Sequence, residues 1–165
     1  MQKGFATLEI ILVLLIIGLL MSVAIPNAQR AIDRAALDYE TKNLYSDLRY
    51  LQSISRSGKF LNLGMGERSF SFGDNPYMQI STEYNTYQLL RGNVPIRETH
   101  RMQNGISITT NFSKKDTIII FDSTGKATNA GGSALSGTIT LTSRYGKPET
   151  IVFDSVGRIR GGRDQ

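Results

Sequence analysis

The sequence predicts an α+β protein in which one long N-terminal α-helix packs on a C-terminal domain of antiparallel β-sheet. Three observations lead to this fold class. An uncharged apolar run covers residues 10–25, an apolar stripe at helical spacing continues to about residue 57, and short β-branched runs separated by turn residues fill the rest. We therefore expect a transmembrane half of the helix at residues 5–26, an amphipathic half at residues 27–58 and a β-rich globular domain at residues 59–165.

The N-terminal apolar run is about long enough to cross a membrane. Residues 10–25 are interrupted only by Gly18 and Ser22. Together with residues 5–8 they approach the roughly 20 residues that a helix needs to span the hydrocarbon core. Glu9 lies at the start of this run, and an unpaired charge inside the membrane costs about 2.5–3.5 kcal/mol on insertion scales. A plain membrane anchor leaves this carboxylate unexplained.

The residues before the apolar run carry a processing signal. A secretory signal peptide is cleaved after its apolar centre, whereas the small residue here, Gly4, lies before the run, so the run would remain after cleavage. The segment Lys3–Glu9, with the apolar run that ends at Pro26, resembles the N-terminus of type IV pilins and type II secretion pseudopilins. This resemblance implies a leader peptide of residues 1–4, cleavage between Gly4 and Phe5 by a membrane prepilin peptidase, and N-methylation of Phe5.

The resemblance also gives Glu9 a role. Cleavage creates a positively charged amine on Phe5, four residues from Glu9 and at a similar membrane depth. Two charges that are each costly in hydrocarbon can pair there. Sequence spacing leaves open whether the amine meets Glu9 of its own chain or of a neighbour, and the family implies the neighbour's. We therefore predict that Glu9 is an assembly contact that also fixes the axial stagger between subunits.

An uncleaved signal anchor is the alternative for this segment. Lys3 would then stay on the cytoplasmic side by the positive-inside rule, and the chain would be a membrane-anchored binding domain. This alternative leaves Glu9 without a function. The pilin resemblance implies a single-pass protein of the inner (cytoplasmic) membrane, with its C-terminal domain outside the cytoplasm, that later enters a filament.

The residues after Pro26 predict the amphipathic half of the helix. Near a membrane boundary a proline can kink a helix without ending it. Five apolar residues form one helical stripe that we expect to dock on the C-terminal domain: Leu37, Leu44, Leu48, Leu51 and Ile54. Five charged residues are expected to fall largely off this stripe: Arg34, Asp38, Lys42, Asp47 and Arg49. Gly58 is the expected stop signal of the helix.

The chain from about residue 59 onward predicts β-structure. Short runs bounded by Gly, Asn and Pro are expected as strands: residues 67–72, 77–81, 86–91, 106–109, 117–121, 138–142 and 150–154. The segments 121–126 and 153–158 end alike, because in each Asp-Ser precedes a Gly that is expected to take positive φ in a tight turn. We expect the hairpins to form one antiparallel sheet, and residues 129–136 to form a flexible loop.

Composition offers almost no basis for catalysis. The chain has no cysteine and one histidine, His100, which lies in the polar stretch 97–104 and is expected as a solvated loop residue. Its Ser and Thr residues lack a histidine-centred arrangement, and no acid–histidine cluster has the spacing of a zinc site. The sequence therefore predicts no catalytic, metal-binding or cofactor-binding residue, and a protein that is not an enzyme. The net charge of +5 fits acidic partners and plain solubility equally well.

Three arginines lie in the glycine-rich segment 157–163: Arg158, Arg160 and Arg163. Guanidinium groups suit phosphate, and exposed glycines let a backbone approach closely. The segment resembles the Gly-Arg-x-Arg motif of minor pilins that bind DNA during uptake, in the group of H-type pseudopilins and related minor pilins. The other interpretation is structural, with the arginines paired to Asp154, to Asp164 or to a neighbouring subunit.

The resemblance as a whole implies a pilin-like subunit, most similar to H-type minor pseudopilins and related minor pilins. Such a subunit has a prepilin peptidase, other pilin or pseudopilin subunits, the assembly platform and its ATPase as partners, and no cofactor. Three roles remain open at this point. The subunit could belong to a secretion pseudopilus that expels folded proteins. It could initiate a pilus or lie at its tip, or it could present its C-terminal arginines to DNA during uptake.

Overall fold

The structure is a computed structural model that describes residues 3–57, 75–92, 94–112, 116–129 and 131–161, apart from the side chains of residues 3–6 and 116. Four features predicted from the sequence lie outside these residues: the strand at 67–72, Gly58 as the helix stop, Arg163 and Asp164.

A single α-helix, α1 (Lys3–Ser57), forms the N-terminal third of the chain. At 1.5 Å per residue its 55 residues extend over about 83 Å. The helix continues through Pro26, where the ring removes one backbone donor without ending the helix. In the described part of the chain it is the one helix that is long and apolar enough to cross a membrane.

Ten strands follow in the described residues. They are β1 (Pro76–Ser81), β2 (Thr86–Arg91), β3 (Val94–Pro95), β4 (His100–Arg101), β5 (Ser107–Thr110), β6 (Asp116–Phe121), β7 (Ala127–Thr128), β8 (Gly137–Thr142), β9 (Glu149–Phe153) and β10 (Ile159–Gly161). The predicted strands in this part of the chain are all present, with bounds shifted by no more than one residue. The strands that the sequence did not predict, β3, β4, β7 and β10, have only two or three residues each.

The strands form two antiparallel sheets, so the expectation of one sheet is wrong. The larger sheet has the order β3-β2-β1-β6-β7, with β4 also paired to β2, and the smaller has the order β10-β9-β8-β5. The division arises because β5 pairs with β8, Ser107 opposite Thr142, and not with β6, which follows it in the chain. Turn residues predict hairpins between neighbours, but such long-range pairing depends on which faces are buried.

Both sheets bury one face against the amphipathic half of α1. Alternate residues of β1 and β8 are buried, as a half-buried strand requires. Four leucines of the helix enter the same core and are at most 2% exposed, which confirms the predicted stripe: Leu37, Leu44, Leu48 and Leu51. Ile54, the fifth predicted member, is partly exposed.

The two Asp-Ser-x-Gly segments form the predicted turns. Gly125 N–H donates to the carbonyl of Asp122 at 2.8 Å, and Gly157 N–H donates to that of Asp154 at 2.9 Å. Both glycines have positive φ, 83° and 86°, a conformation that costs a side-chain-bearing residue energy. In the segment expected as a flexible loop, Gly132 N–H bonds the Asn129 carbonyl, so its described part contains a hydrogen-bonded turn.

Candidate functional site

The first half of α1 presents a continuous apolar surface. Every large apolar side chain from Leu8 to Ile25 is between 41% and 66% exposed, on all sides of the helix. A contiguous patch of this extent is not stable in water, so it must contact lipid or other apolar helices. Among the described side chains of the helix, those of residues 7–32 are all exposed and the first buried one is that of Asp33.

Glu9 lies at the N-terminal edge of this apolar surface. Its side chain is exposed, between the exposed side chains of Leu8 and Ile10. The backbone of Gly4 and Phe5 belongs to the same helix, one turn before Glu9. The structure thus places the predicted cleavage position and the predicted assembly carboxylate on one continuous helix.

Three acids of α1 are buried at seven-residue intervals: Asp33, Glu40 and Asp47. The prediction that Asp47 falls off the docking stripe is wrong, because it is 8% exposed and faces the larger sheet. Two donors of the sheet domain reach its carboxylate. The Tyr87 hydroxyl donates at 2.9 Å and Arg97 Nη1 at 2.5 Å. Burial of the phenol, followed by the charge of Asp47, raises the pKa of Tyr87, so this hydroxyl remains a donor at neutral pH.

His100 contacts the second of these acids, so the prediction of a solvated loop residue is wrong. It lies in β4, and its Nε2 is 2.6 Å from Oε2 of Glu40, whose side chain is 1% exposed. The backbone N–H of Gln103 donates to the other carboxylate oxygen of Glu40 at 3.3 Å. The His100 ring also packs on Tyr87, with the ring centres 5.0 Å apart. The histidine therefore fastens the larger sheet to the helix.

Asp33 binds the loop between β8 and β9. Its Oδ2 accepts hydrogen bonds from the Ser143 hydroxyl at 2.7 Å and from the Tyr145 amide at 3.1 Å. Ser143 Oγ in turn accepts from the Gly146 amide at 2.9 Å. Because Asp33 is the first buried residue after the apolar half of α1, the contacts with Ser143 and Tyr145 hold the β8–β9 loop toward that half within the described part of the domain.

Gln52 joins both sheets at the opposite end of the domain. Its Nε2 donates to the Gly125 carbonyl at 2.9 Å and to the Gly157 carbonyl at 2.5 Å. Gly125 lies in the turn between β6 and β7, and Gly157 in the turn between β9 and β10, so one amide holds a turn from each sheet. A Cβ on Gly157 would overlap the Gly125 carbonyl, which shows how closely the two turns stack.

Basic side chains surround this distal end. Arg158 is 65% exposed on its side chain and bonds Asp154 through Nε at 2.8 Å, as the structural interpretation predicted. Arg160 is also exposed. The helix adds Arg49, whose Nη2 donates to the Ile159 carbonyl at 3.0 Å, and Arg56, whose guanidinium lies over Gly125. A cavity of about 440 Å³ lies between Arg49 and Arg56.

Metal ligation has no support in the described part of the chain. No group of three or more His, Asp or Glu residues comes together there in a way that could hold a metal ion. The acids that sequence analysis did not single out, Asp33 and Glu40, are structural contacts of the helix. Their seven-residue spacing with Asp47, interleaved with Leu37 and Leu44, was the available signal for their burial.

The fold is similar to that of minor pilins and minor pseudopilins. The type IV minor pilin FimU of Pseudomonas aeruginosa matches with a TM-score of 0.50 and 13% sequence identity, over 78% of this chain and 91% of that one. The minor pseudopilin EpsH from the type 2 secretion system of Vibrio cholerae matches with a TM-score of 0.53 and 9% identity, over 76% of this chain and 94% of that one. No protein-family model matches the chain, and no curated protein matches it in sequence. The two structural matches confirm the predicted fold class, a long helix packed on antiparallel sheet in the manner of pilins.

Proposed function

We propose that this protein is a prepilin-processed subunit, a minor pilin or minor pseudopilin, of a type IV pilus or a type II secretion pseudopilus. It assembles through its N-terminal helix. The observation that carries this proposal is the exposed Glu9 at the edge of an exposed apolar helix surface, one helical turn after the predicted cleavage position between Gly4 and Phe5. The pilin-like fold supports it, because both matched structures are of proteins named as minor pilin or minor pseudopilin.

In this proposal the subunit first resides in the inner membrane. The apolar half of α1 spans the bilayer once and the sheet domain lies outside the cytoplasm. The prepilin peptidase removes residues 1–4 and methylates Phe5, and the assembly platform then transfers the subunit to a filament of other pilins or pseudopilins. The protein acts as a structural subunit, not as an enzyme.

The new amine of Phe5 supplies the partner that Glu9 requires. A carboxylate and an ammonium that are each costly in hydrocarbon are less costly as a pair. Within one helix the Phe5 amine and Glu9 lie one turn apart, about 6 Å along the axis, so a neighbouring subunit must shift by about that distance along the filament to align its amine with Glu9. The pair would thereby set the stagger of the subunits.

The test is the replacement Glu9→Ala in a strain that carries the prepilin peptidase and the other filament subunits. We expect normal cleavage after Gly4 and normal membrane insertion, but loss of the protein from sheared filaments. Ser22→Ala is the matched control, since it also removes a polar group from the apolar half of α1 and breaks only a local bond to the Leu19 carbonyl. Normal incorporation of the Glu9→Ala protein into filaments would contradict the proposed contact.

N-terminal sequencing of the mature protein separates this proposal from the uncleaved signal anchor. A methylated Phe5 at the terminus supports prepilin processing. A chain that still begins with Met1 would overturn it and favour a membrane-anchored binding domain.

DNA binding for uptake is the second candidate function. The exposed Arg158 and Arg160, with Arg49 and Arg56 on the adjacent helix, support it, because they concentrate positive charge at the end of the described domain opposite the β8–β9 loop. The ion pair of Arg158 with Asp154 weighs against it.

Duplex DNA binding by the full chain in detergent tests this second function. We expect the replacement of Arg158 and Arg160 by Ala to weaken binding and to reduce the slope of log affinity against log salt by about 2, one unit for each lost phosphate contact. Arg144→Ala with Lys147→Ala removes the same charge from the opposite end and serves as the control. Unchanged affinity of the Arg158/Arg160 variant at low salt would rule the function out.

A further inference from the structure

A second basic cavity lies at the end of the domain that is nearest the apolar half of the helix. It has a volume of about 290 Å³ and is lined by Arg34 and Leu37 of α1 and by Tyr145, Gly146 and Lys147 of the β8–β9 loop. Two cations and a phenol therefore converge on one opening. The assembly contact and the C-terminal arginines considered above do not involve this cavity.

The position of the cavity along the helix brings it close to a bilayer surface. At 1.5 Å per residue, Asp33 lies about 12 Å beyond Ile25, the last residue of the apolar run. The polar headgroup layer is about 5–8 Å thick on each side of the hydrocarbon core. The hydrogen bonds from Ser143 and Tyr145 hold the loop at the level of Asp33, which places it about 4–7 Å beyond the outer edge of that layer. Long basic side chains can span such a gap, and side chains on a helix are tilted toward its N-terminus, which here is the membrane side.

Arg30 extends the basic surface toward the membrane. It is exposed and lies three residues before Asp33 and seven before Leu37, so it shares their helix face one turn below the loop. By the same rise it lies about 8 Å beyond Ile25, within or just above the headgroups. Long basic side chains can keep their stems along an apolar surface and place their charges among the phosphates.

The charge of this face is almost entirely positive. Arg30, Arg34, Arg144 and Lys147 are all exposed. The carboxylate of Asp33 is 8% exposed and already accepts two hydrogen bonds from the loop, and that of Asp38, four residues after Arg34, pairs with Lys42. Tyr145 is 49% exposed and has the Arg144 guanidinium 5.3 Å from its ring centre. Tyrosine beside basic residues is typical of side chains at a membrane interface.

We propose that the cavity between Arg34, Tyr145 and Lys147 binds the headgroup phosphate of an anionic phospholipid. The lipid comes from the leaflet on the side of the sheet domain. Bound there, it holds the domain at a second point besides the helix and fixes its orientation before assembly. The proposal rests on the membrane-spanning helix of the proposed function, but not on cleavage, on Glu9 or on the identity of the filament.

The experiment uses the full chain reconstituted in phosphatidylcholine bilayers that contain spin-labelled lipids. Electron paramagnetic resonance measures the protein's relative association with labelled phosphatidylglycerol and labelled phosphatidylcholine. We expect a preference of about fivefold for phosphatidylglycerol, the factor that corresponds to one basic residue near an anionic surface. Arg34→Gln with Lys147→Gln should lower this ratio clearly, because the cavity loses both of its charges, whereas Arg30 and Arg144 stay on the surface and leave a smaller preference.

The matched control is Arg158→Gln with Arg160→Gln, which changes the net charge equally at the distal end and should keep the preference. A ratio near one for the unmodified chain, or the same ratio in the Arg34/Lys147 variant, overturns the proposal. So does inorganic phosphate at equal ionic strength if it removes the preference, since the cavity then takes free anions. The Arg34/Lys147 variant could also keep the lipid preference of the unmodified chain and yet be missing from filaments. That result would show that this surface contacts a neighbouring subunit, and it would contradict lipid binding.

Protease protection of the reconstituted chain separates the two proposals. A chain that fails to insert across the bilayer contradicts the membrane placement in the proposed function and the lipid site together. A chain that inserts but shows no lipid preference contradicts only the lipid site.

Discussion

At the scale of single residues, the buried carboxylates of α1 depend on polar groups from the sheets. Asp33 accepts two hydrogen bonds from the β8–β9 loop. Glu40 contacts His100 and the Gln103 backbone amide, and Asp47 contacts Tyr87 and Arg97. A buried carboxylate without partners is strongly unfavourable. Replacing a buried ion pair by apolar side chains is often neutral or stabilising, so such contacts are weak support for net stability. We infer that these three acids mainly select one position of the helix on the sheets.

The turn acids Asp122 and Asp154 have lowered pKa values. For Asp154 the largest cause is the hydrogen bond from the Arg158 amide, with the Arg158 side chain and the Val156 amide adding to it. For Asp122, partial desolvation alone would raise the pKa, but hydrogen bonds from Thr124 and Lys126 outweigh it. In both turns the charged carboxylate organises the backbone around the glycine.

Acidification should therefore loosen these turns. A carboxylate with a depressed folded pKa contributes stability that is present above its unfolded value, here 3.8, and is lost as the pH falls through the lower folded value. We expect the amide signals of Gly125 and Gly157 to shift below about pH 4 and to lose protection from exchange relative to the intrinsic rate at the same pH. An NMR titration measures this, and Asp154→Asn should remove the pH dependence at Gly157 alone. A Gly157 amide that is insensitive to pH in the unmodified chain would contradict this role.

At the scale of elements, two interleaved seven-residue repeats define the docking face of α1. Three leucines, Leu37, Leu44 and Leu51, alternate with the three buried acids along one stripe. A seven-residue repeat approximates two helical turns and keeps the same face toward the partner over this distance. Apolar contacts supply the burial, and the acids between them exclude a shift of the helix by one turn.

Removing one buried acid should destabilise the protein far more than removing an exposed one. Glu40→Ala leaves the His100 ring and the Gln103 amide without their acceptor, and the loss of such a buried partner costs about 1–3 kcal/mol. Asp38→Ala, two residues away, breaks only an exposed pair with Lys42 at 2.8 Å, which is worth at most about 0.5 kcal/mol. Chemical denaturation of both variants in detergent measures the difference. Equal free energies of unfolding would show that the Glu40 contact contributes nothing.

The elements could be predicted from the sequence because local patterns encode them. The apolar run, the leucine stripe and the turn glycines each depend on residues close in the chain, and their strands appear within one residue of prediction. The division into two sheets depends on strand pairing between residues 29 to 35 positions apart. The burial of Asp47 and the contact of His100 with Glu40 depend on residues 40 to 60 positions apart. For a charged side chain, exposure was the natural prediction, and only the seven-residue spacing indicated otherwise. The roles of Glu9 and the C-terminal arginines stay predictions.

At the scale of the molecule, the two sheets are joined where the turns of Gly125 and Gly157 stack on Gln52. In the described residues no strand of one sheet pairs with a strand of the other. This junction and the core join the sheets, together with bonds from the Ile108 amide to Asn85 Oδ1 and between the Thr110 and Thr117 hydroxyls. Small residues are needed at the junction because the backbones approach so closely. The junction thus fixes how the sheets lie against each other and against the distal part of α1.

Replacing the junction glycine tests this arrangement. Gly157→Ala introduces both a strained positive φ and an overlap with the Gly125 carbonyl. Gly105→Ala is the matched control, since φ is 71° there but no atom lies within 4 Å of the added methyl group. We expect the control to lose about 1–2 kcal/mol from strain, and Gly157→Ala to lose about 1–3 kcal/mol more from overpacking. Similar melting temperatures for the two variants would contradict the close approach of the turns.

The unbroken course of α1 through Pro26 has a mechanical consequence. One rod about 83 Å long joins the apolar surface to the sheet domain. A pull on the N-terminal half is therefore transmitted directly along the axis to the part of the helix that docks on the sheets, from Asp33 to Gln52. The force acts there in shear, parallel to the helix axis. It is shared among several polar contacts and the packing of four leucines, so these contacts do not break one after another. Such a joint resists axial traction better than a hinged linker would.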